Sequence, residues 1–99
     1  MKYLSPADLD ELSRQAAASP RQRANRNLHD CLDAPVQRLA IAMEPATYVR
    51  PHRHPHTWEQ LHPLRGRFLV LYFDEAGTVT GRTILGEDCL LLENPAGQW

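Results

Sequence analysis

Short apolar segments separated by turn residues recur along the chain after residue 38, and this pattern limits the possible folds most strongly. Leu39 to Met43 places large apolar residues at alternate positions, and Phe68 to Phe73 is an uninterrupted apolar run. Residues 74–77, Asp-Glu-Ala-Gly, have the composition of a hairpin turn, and residues 79–85 return from it. Strands at such short spacing are typical of an all-β sandwich or barrel. Further short strands are predicted at Tyr48–Val49, at Trp58–Leu64 and at Cys89–Leu92.

Residues 5–18 are predicted to form a single helix. Ser5 can cap the first turn, and Asp8 faces the positive end of the helix dipole. The helix should end before Pro20, because the residue that precedes a proline avoids the helical conformation. Its apolar stripe is narrow, so we expect a surface helix. The stripe consists of Leu9, Leu12 and Ala16.

The composition is that of one ordinary globular domain. Of the 99 residues, 42% are hydrophobic and 23% are charged, and the net charge is −1. This balance produces no long-range field, so neither nucleic acid nor a membrane is expected as a partner. Two cysteines are too few for a disulfide framework and the polar start lacks a secretory signal, so we expect reduced thiols and a cytoplasmic protein. Within the domain we expect an N-terminal helical segment, residues 1–20, and a β-barrel, residues 21–99.

Residues 52–59, with the sequence HRHPHTWE, carry the side chains best suited to chemistry. Two histidines two positions apart on an extended backbone face the same side, so His52 and His54 can ligate one ion. Glu59 can add a carboxylate once the chain has turned. Neutral imidazole with carboxylate suits one divalent transition metal such as Zn, Fe, Mn or Ni. The alternative is a solvated, histidine-rich loop. Two weaker ligand candidates are His56 and His62.

The same segment resembles the first cupin motif, G-x5-H-x-H-x3,4-E-x6-G. Ala46 stands in place of the first glycine, and the two histidines, Glu59 and Gly66 follow at the motif's spacing. The resemblance implies that His52, His54 and Glu59 are the metal ligands.

The second cupin motif, G-x5-P-x-G-x2-H-x3-N, is matched in part. Cys89 stands at its first glycine, and Pro95 and Gly97 follow at the motif's spacing. The motif's histidine would come directly after Trp99, where this sequence ends. The resemblance therefore implies a cupin double-stranded β-helix, a jelly-roll barrel that is C-terminally incomplete, preceded by one helix. The missing histidine predicts weakened metal binding.

Three further segments narrow the resemblance to the cupin-fold metalloproteins of the WbuC family. They are Asn27 to Asp30, Pro35 to Leu39 and Tyr48 to Pro55. WbuC-like proteins are often encoded among genes for bacterial surface-polysaccharide biosynthesis, which implies a small, sugar-like substrate.

Two residues outside the motif are candidates for substrate binding. Arg38 could hold an anionic group through its bidentate guanidinium, and His29 could line the pocket beside it. The alternative for both is a structural hydrogen bond at the mouth of the barrel.

Three functions remain open at this point. The first is an enzyme whose ion polarises an oxygen of a sugar-like substrate, as in an isomerase or epimerase, or organises O₂ chemistry, as in an oxygenase. The second is a non-catalytic cupin that binds a small molecule or a partner. The third is a truncated form with weakened metal binding. The uncovered strand edges of an incomplete barrel also predict a homodimer.

Overall fold

The computed structural model describes residues 1–99, and its secondary structure is mostly β with one helix. The elements in chain order are α1 (Pro6–Ala18), β1 (Arg23–Asn27), β2 (Leu39–Met43), β3 (Glu59–Leu61), β4 (Phe68–Phe73), β5 (Val79–Leu85) and β6 (Leu92–Asn94). The strands form three two-stranded antiparallel sheets, β1–β2, β3–β6 and β4–β5, and no closed barrel. The predicted combination of β-structure with one N-terminal helix is confirmed. The chain divides into two compact units, Met1–Val49 and Arg50–Trp99.

The start of α1 is fixed by a capping box. The Ser5 hydroxyl accepts a hydrogen bond from the Asp8 backbone N–H at 3.2 Å, and the Asp8 carboxylate accepts one from the Ser5 backbone N–H at 2.8 Å. Two of the N–H groups that a helix start leaves unpaired are thereby satisfied. The helix follows the predicted bounds, with Ser5 as its N-cap and Ser19 as its C-cap.

In the first unit, α1 packs against β1 and β2. Leu12 and Ala16 are buried on the helix, and Ala40 is buried on β2. The large residues of the alternating β2 pattern face the other way: Leu39 and Ile41 are 43% and 46% exposed. The small alanine side chain lets the helix approach the sheet closely, which explains why the alanine face is the covered one.

The β4–β5 hairpin forms where the sequence predicts it. Its register pairs Phe68 with Leu85, and the turn is closed by the Asp74 carboxylate. One oxygen of that carboxylate accepts hydrogen bonds from the N–H groups of Ala76 and Thr78, each at 2.9 Å. Short polar side chains that bond nearby backbone in this way stabilise tight turns.

The other strand predictions are corrected by the structure. Tyr48 and Val49 form no strand, and the Tyr48 side chain is 75% exposed. The predicted strand 58–64 is shortened to β3. The strand expected at Cys89–Leu92 lies further along as β6, because pairing with β3 selects residues 92–94. Cys89 makes only an isolated bridge to Leu85.

Few apolar side chains are deeply buried in either unit. The buried apolar residues are Leu12, Ala16, Ala40 and Leu85. The chain has no helix with the length and apolar character that crossing a membrane requires.

Candidate metal centre

The antiparallel pair β3–β6 positions the centre of the candidate site. Glu59 is the first residue of β3 and lies directly opposite Asn94, the last residue of β6. Beyond this pair, the Gly97 N–H donates to the His54 carbonyl oxygen at 2.8 Å. The segments that resemble the two cupin motifs are therefore in contact within the second unit.

His54 contacts both of the other predicted ligands. Its Nε2 lies 3.5 Å from Oε2 of Glu59, and its ring centroid lies 5.3 Å from that of His52, with the two ring planes nearly perpendicular at 89°. Both histidines are exposed and lie in a segment without regular secondary structure. The three side chains that the motif selects therefore form two neighbouring pairs, His52 with His54 and His54 with Glu59.

The hydrogen bond of His52 leaves one of its nitrogens available. Nδ1 of His52 lies 2.9 Å from the Arg50 carbonyl oxygen, which can only accept, so Nδ1 carries the proton and Nε2 presents a lone pair. Histidines that ligate metals commonly donate their second ring N–H to a backbone carbonyl in this way. In the neutral His52 ring, Nε2 is therefore the atom that can ligate a metal.

The donor separation agrees with shared ligation. Two donors about 2.0–2.2 Å from one tetrahedral ion lie about 3.4 Å apart, and His54 Nε2 and Glu59 Oε2 are 3.5 Å apart. The same separation also suits an ion pair when the imidazole is protonated. No group of three or more His, Cys, Asp or Glu side chains is close enough in this structure to hold an ion. Ligation by all three residues therefore requires a rotamer change, which the exposure of His52 permits.

Arg53, between the two histidines, is held from two sides. Its guanidinium donates to a Glu75 carboxylate oxygen at 2.8 Å and lies 4.6 Å from the centroid of the Trp99 ring. A guanidinium over an indole face gains a cation–π attraction. The otherwise irregular histidine segment is thereby tied to the β4–β5 turn.

An open cleft of about 370 Å³, also within the second unit, is lined in part by Asn94. Its lining residues are Tyr72, Thr80, Gly81, Glu93, Asn94, Pro95 and Gln98. Burial raises the pKa of Tyr72 above the usual 10.0, and the nearby Cys89 adds to the increase. The phenol therefore remains a neutral hydrogen-bond donor near the cleft.

His29 and Arg38, the two predicted substrate-binding residues, lie together in the first unit. Nδ1 of His29 lies 3.1 Å from the Arg38 backbone nitrogen and 3.0 Å from the Arg38 carbonyl oxygen, and the His29 side chain is buried. Hydrogen bonding therefore joins the His29 imidazole to the backbone of Arg38. The Arg38 carbonyl accepts from the Leu28 N–H at 2.7 Å, so the Arg38 backbone closes the loop between β1 and β2.

One contributor to the site, Asn94, was not selected from the sequence. Its Nδ2 donates a hydrogen bond to Oε1 of Glu59 at 3.1 Å. Only the position of Asn94 directly before Pro95 in the second motif could have drawn attention to it.

Together these features describe a small β-rich chain in which His52, His54 and Glu59 lie near one another, with Glu59 on the antiparallel pair β3–β6. The chain belongs to the domain family DUF6016, a domain of unknown function, which it matches over residues 4–85. The match includes α1, strands β1 to β5 and the residues His52, His54 and Glu59, and it stops before β6. No curated protein and no solved structure matches the chain.

Proposed function

We propose that this chain is a small metal-binding domain of the cupin type, with His52, His54 and Glu59 as ligands to one divalent transition metal. The observation that carries the proposal is the position of His54, with Glu59 3.5 Å from its Nε2 and the His52 ring beside its own. The tautomer of His52 adds support. In the proposal, the three small sheets correspond to parts of a jelly-roll barrel.

The donor set suits a Lewis-acid or redox metal. Two neutral imidazoles and one carboxylate are the ligands of non-haem iron sites, and they also suit Zn, Mn or Ni. When bound, such an ion would polarise an oxygen of the substrate or organise O₂. The chain's own contribution is to hold the three donors on a short segment and to leave the remaining positions open to solvent.

The substrate class comes from the WbuC resemblance. A sugar-like intermediate of bacterial surface-polysaccharide biosynthesis is the substrate that this resemblance favours. Polar side chains around the cleft that Asn94 lines provide hydroxyl, amide and carboxylate groups, which suit a ligand rich in hydroxyl groups.

A non-catalytic domain is the second candidate function. The 3.5 Å contact between His54 and Glu59 also fits a simple ion pair. In that case the histidine segment would stabilise the fold or bind a partner. Metal binding separates the two functions, because an ion pair requires protonated imidazole and a metal site requires neutral imidazole.

The test is a competition titration of the purified protein with Co²⁺ and Zn²⁺ near neutral pH. The wild-type chain should bind one ion, and the double variant His52→Ala/His54→Ala should lose binding by more than the roughly 10–100-fold that outer partners contribute. The matched control is Thr57→Ala, which removes an exposed polar side chain from the same segment and should leave affinity within about twofold. Equal affinity in wild type and double variant would refute the assignment of these ligands.

A further inference from the structure

The Glu59 carboxylate has a dedicated hydrogen-bond partner on the neighbouring strand. Register places Asn94 directly opposite Glu59, and Nδ2 of Asn94 donates to Oε1 at 3.1 Å. Both side chains are half-buried, so water competes less for this contact than at a fully exposed position. A carboxylate only accepts hydrogen bonds, so the amide nitrogen must be the atom that faces it.

We propose that Asn94 is a positioning residue, whose amide fixes Oε1 of Glu59 so that Oε2 is directed at His54. The inference rests on the proposed metal site and assigns that site its outer partner. With Oε1 engaged, Oε2 lies 3.5 Å from His54 Nε2, and rotation of the carboxylate about its last bond would break the Asn94 contact. Outer hydrogen bonds of this kind orient ligating carboxylates and raise metal affinity.

The segment that follows β6 holds the second ligand as well. Three residues after Asn94, the Gly97 N–H bonds the His54 carbonyl oxygen at 2.8 Å. One short stretch of chain therefore orients the side chain of Glu59 and anchors the backbone of His54. Asn94 acts through its side chain, whereas Gly97 acts through its backbone N–H. The role of Asn94 can therefore be tested by substitution.

The same two strands offer a matched control. Gln60 and Glu93 are also directly opposite each other, and Nε2 of Gln60 donates to the Glu93 carboxylate at 2.8 Å. Adjacent residues of a strand point to opposite faces, so this pair lies on the other face of the sheet from Glu59 and Asn94. Gln60→Ala removes one cross-strand hydrogen bond of the β3–β6 pair and leaves the metal side unchanged.

The first measurement needs no metal. In the metal-free protein, the side-chain amide resonances of Asn94 should shift in Glu59→Ala and stay in place in Gln60→Ala. Unshifted Asn94 resonances in Glu59→Ala would overturn the inference by themselves, whatever the protein does with metal. This measurement also remains decisive if Asn94→Ala does not fold.

The second measurement is a Co²⁺ titration followed by the visible absorption of the bound ion, whose bands report ligand geometry. Asn94→Ala should weaken Co²⁺ binding by about 10–100-fold and change the bands, and Gln60→Ala should do neither. Wild-type affinity and wild-type bands in a folded Asn94→Ala protein would overturn the positioning role alone. Failure of the wild-type chain to bind Co²⁺ would overturn the proposed function and this inference with it.

Discussion

Tyr72 is the residue whose ionisation the fold opposes. It lies half-buried on β4, where burial raises the pKa of its phenol, the thiol of Cys89 adds to the increase, and a hydrogen bond with Thr83 partly offsets it. The folded chain therefore keeps the phenolic proton to higher pH than the unfolded chain does. Tyr72 then contributes stability in full below about pH 10, the ordinary tyrosine value, and loses it as the pH rises through the raised pKa.

The resulting prediction concerns alkaline unfolding. Between about pH 9 and pH 12, the free energy of unfolding should fall less steeply in Tyr72→Phe than in wild type, because phenylalanine cannot ionise. Urea denaturation across that range measures the slope. Tyr48→Phe is the control, since Tyr48 is 75% exposed and should leave the slope unchanged. Identical slopes for wild type and Tyr72→Phe would contradict the assigned cause.

Ligand candidates could be predicted from the sequence because their spacing is local. His52 and His54 are two positions apart, and the motif carries Glu59 with them. The contact of Glu59 with Asn94 could not be predicted, because it joins residues separated by 35 positions and depends on which strand pairs with β3. The tautomer of His52 could not be predicted either, because it depends on the position of the Arg50 carbonyl oxygen.

Among the elements, α1 shows how local signals define a boundary. Ser5 and Asp8 form the reciprocal capping contacts, and Arg26 on β1 approaches the Asp8 carboxylate to 2.7 Å. The hydrogen bonds with Ser5 and then the contact with Arg26 hold the pKa of Asp8 below its usual 3.8. Because the pKa of Asp8 is lower in the folded chain, its carboxylate stabilises the fold in full above the usual value of 3.8. This stabilisation is lost as the pH falls through the lowered pKa of the folded chain.

Removing the cap gives a prediction at this scale. Ser5→Ala should lower the free energy of unfolding by about 1 kcal/mol near neutral pH, the usual contribution of an N-cap serine. It should also reduce the loss of stability on acidification below about pH 4, because one cause of the lowered Asp8 pKa is gone. The control is Ser13→Ala on the exposed side of α1, which should be neutral or slightly stabilising. Equal losses in both variants, measured by urea unfolding, would exclude a specific capping effect.

Strands were predicted well where a turn and its two flanks carry agreeing signals. The β4–β5 hairpin has an apolar run, an Asp-Glu-Ala-Gly turn and a returning strand, and each of these is local. Tyr48 and Val49 are residue types that favour strands, but no strand pairs with them. Strand propensity stabilises a segment only when a partner strand is present. The bounds of β6 moved for the same reason, since β3 determines which residues it pairs with.

At the level of the whole molecule, the apolar surface is the dominant feature. Leu69 and Leu71 point to the same face of β4 and are 58% and 39% exposed, and Val79 on β5 is 51% exposed. Apolar patches and unpaired strand edges of this kind favour association with another chain.

A homodimer therefore remains the prediction for the whole molecule. Sedimentation velocity at micromolar concentration should show a species larger than the monomer, and Leu69→Lys should shift it towards monomer by placing a charge on the exposed face. Leu32→Lys is the matched control, because Leu32 is 83% exposed but belongs to the first unit and not to the β4–β5 sheet. A wild-type chain that remains monomeric would contradict the prediction.

The order of strand pairing has a consequence for the time course of folding. The complete β4–β5 hairpin lies between β3 and β6 in the chain, so the β3–β6 pair closes a much longer loop than the hairpin does. Hairpins form within about 1–10 μs, and longer loops close against a larger loss of chain entropy. We expect the hairpin to form first and the partners Glu59 and Asn94 to meet late. In a cell, capture of the proposed metal ion would then coincide with completion of the second unit, and nascent chains would offer no assembled site to compete for scarce metal.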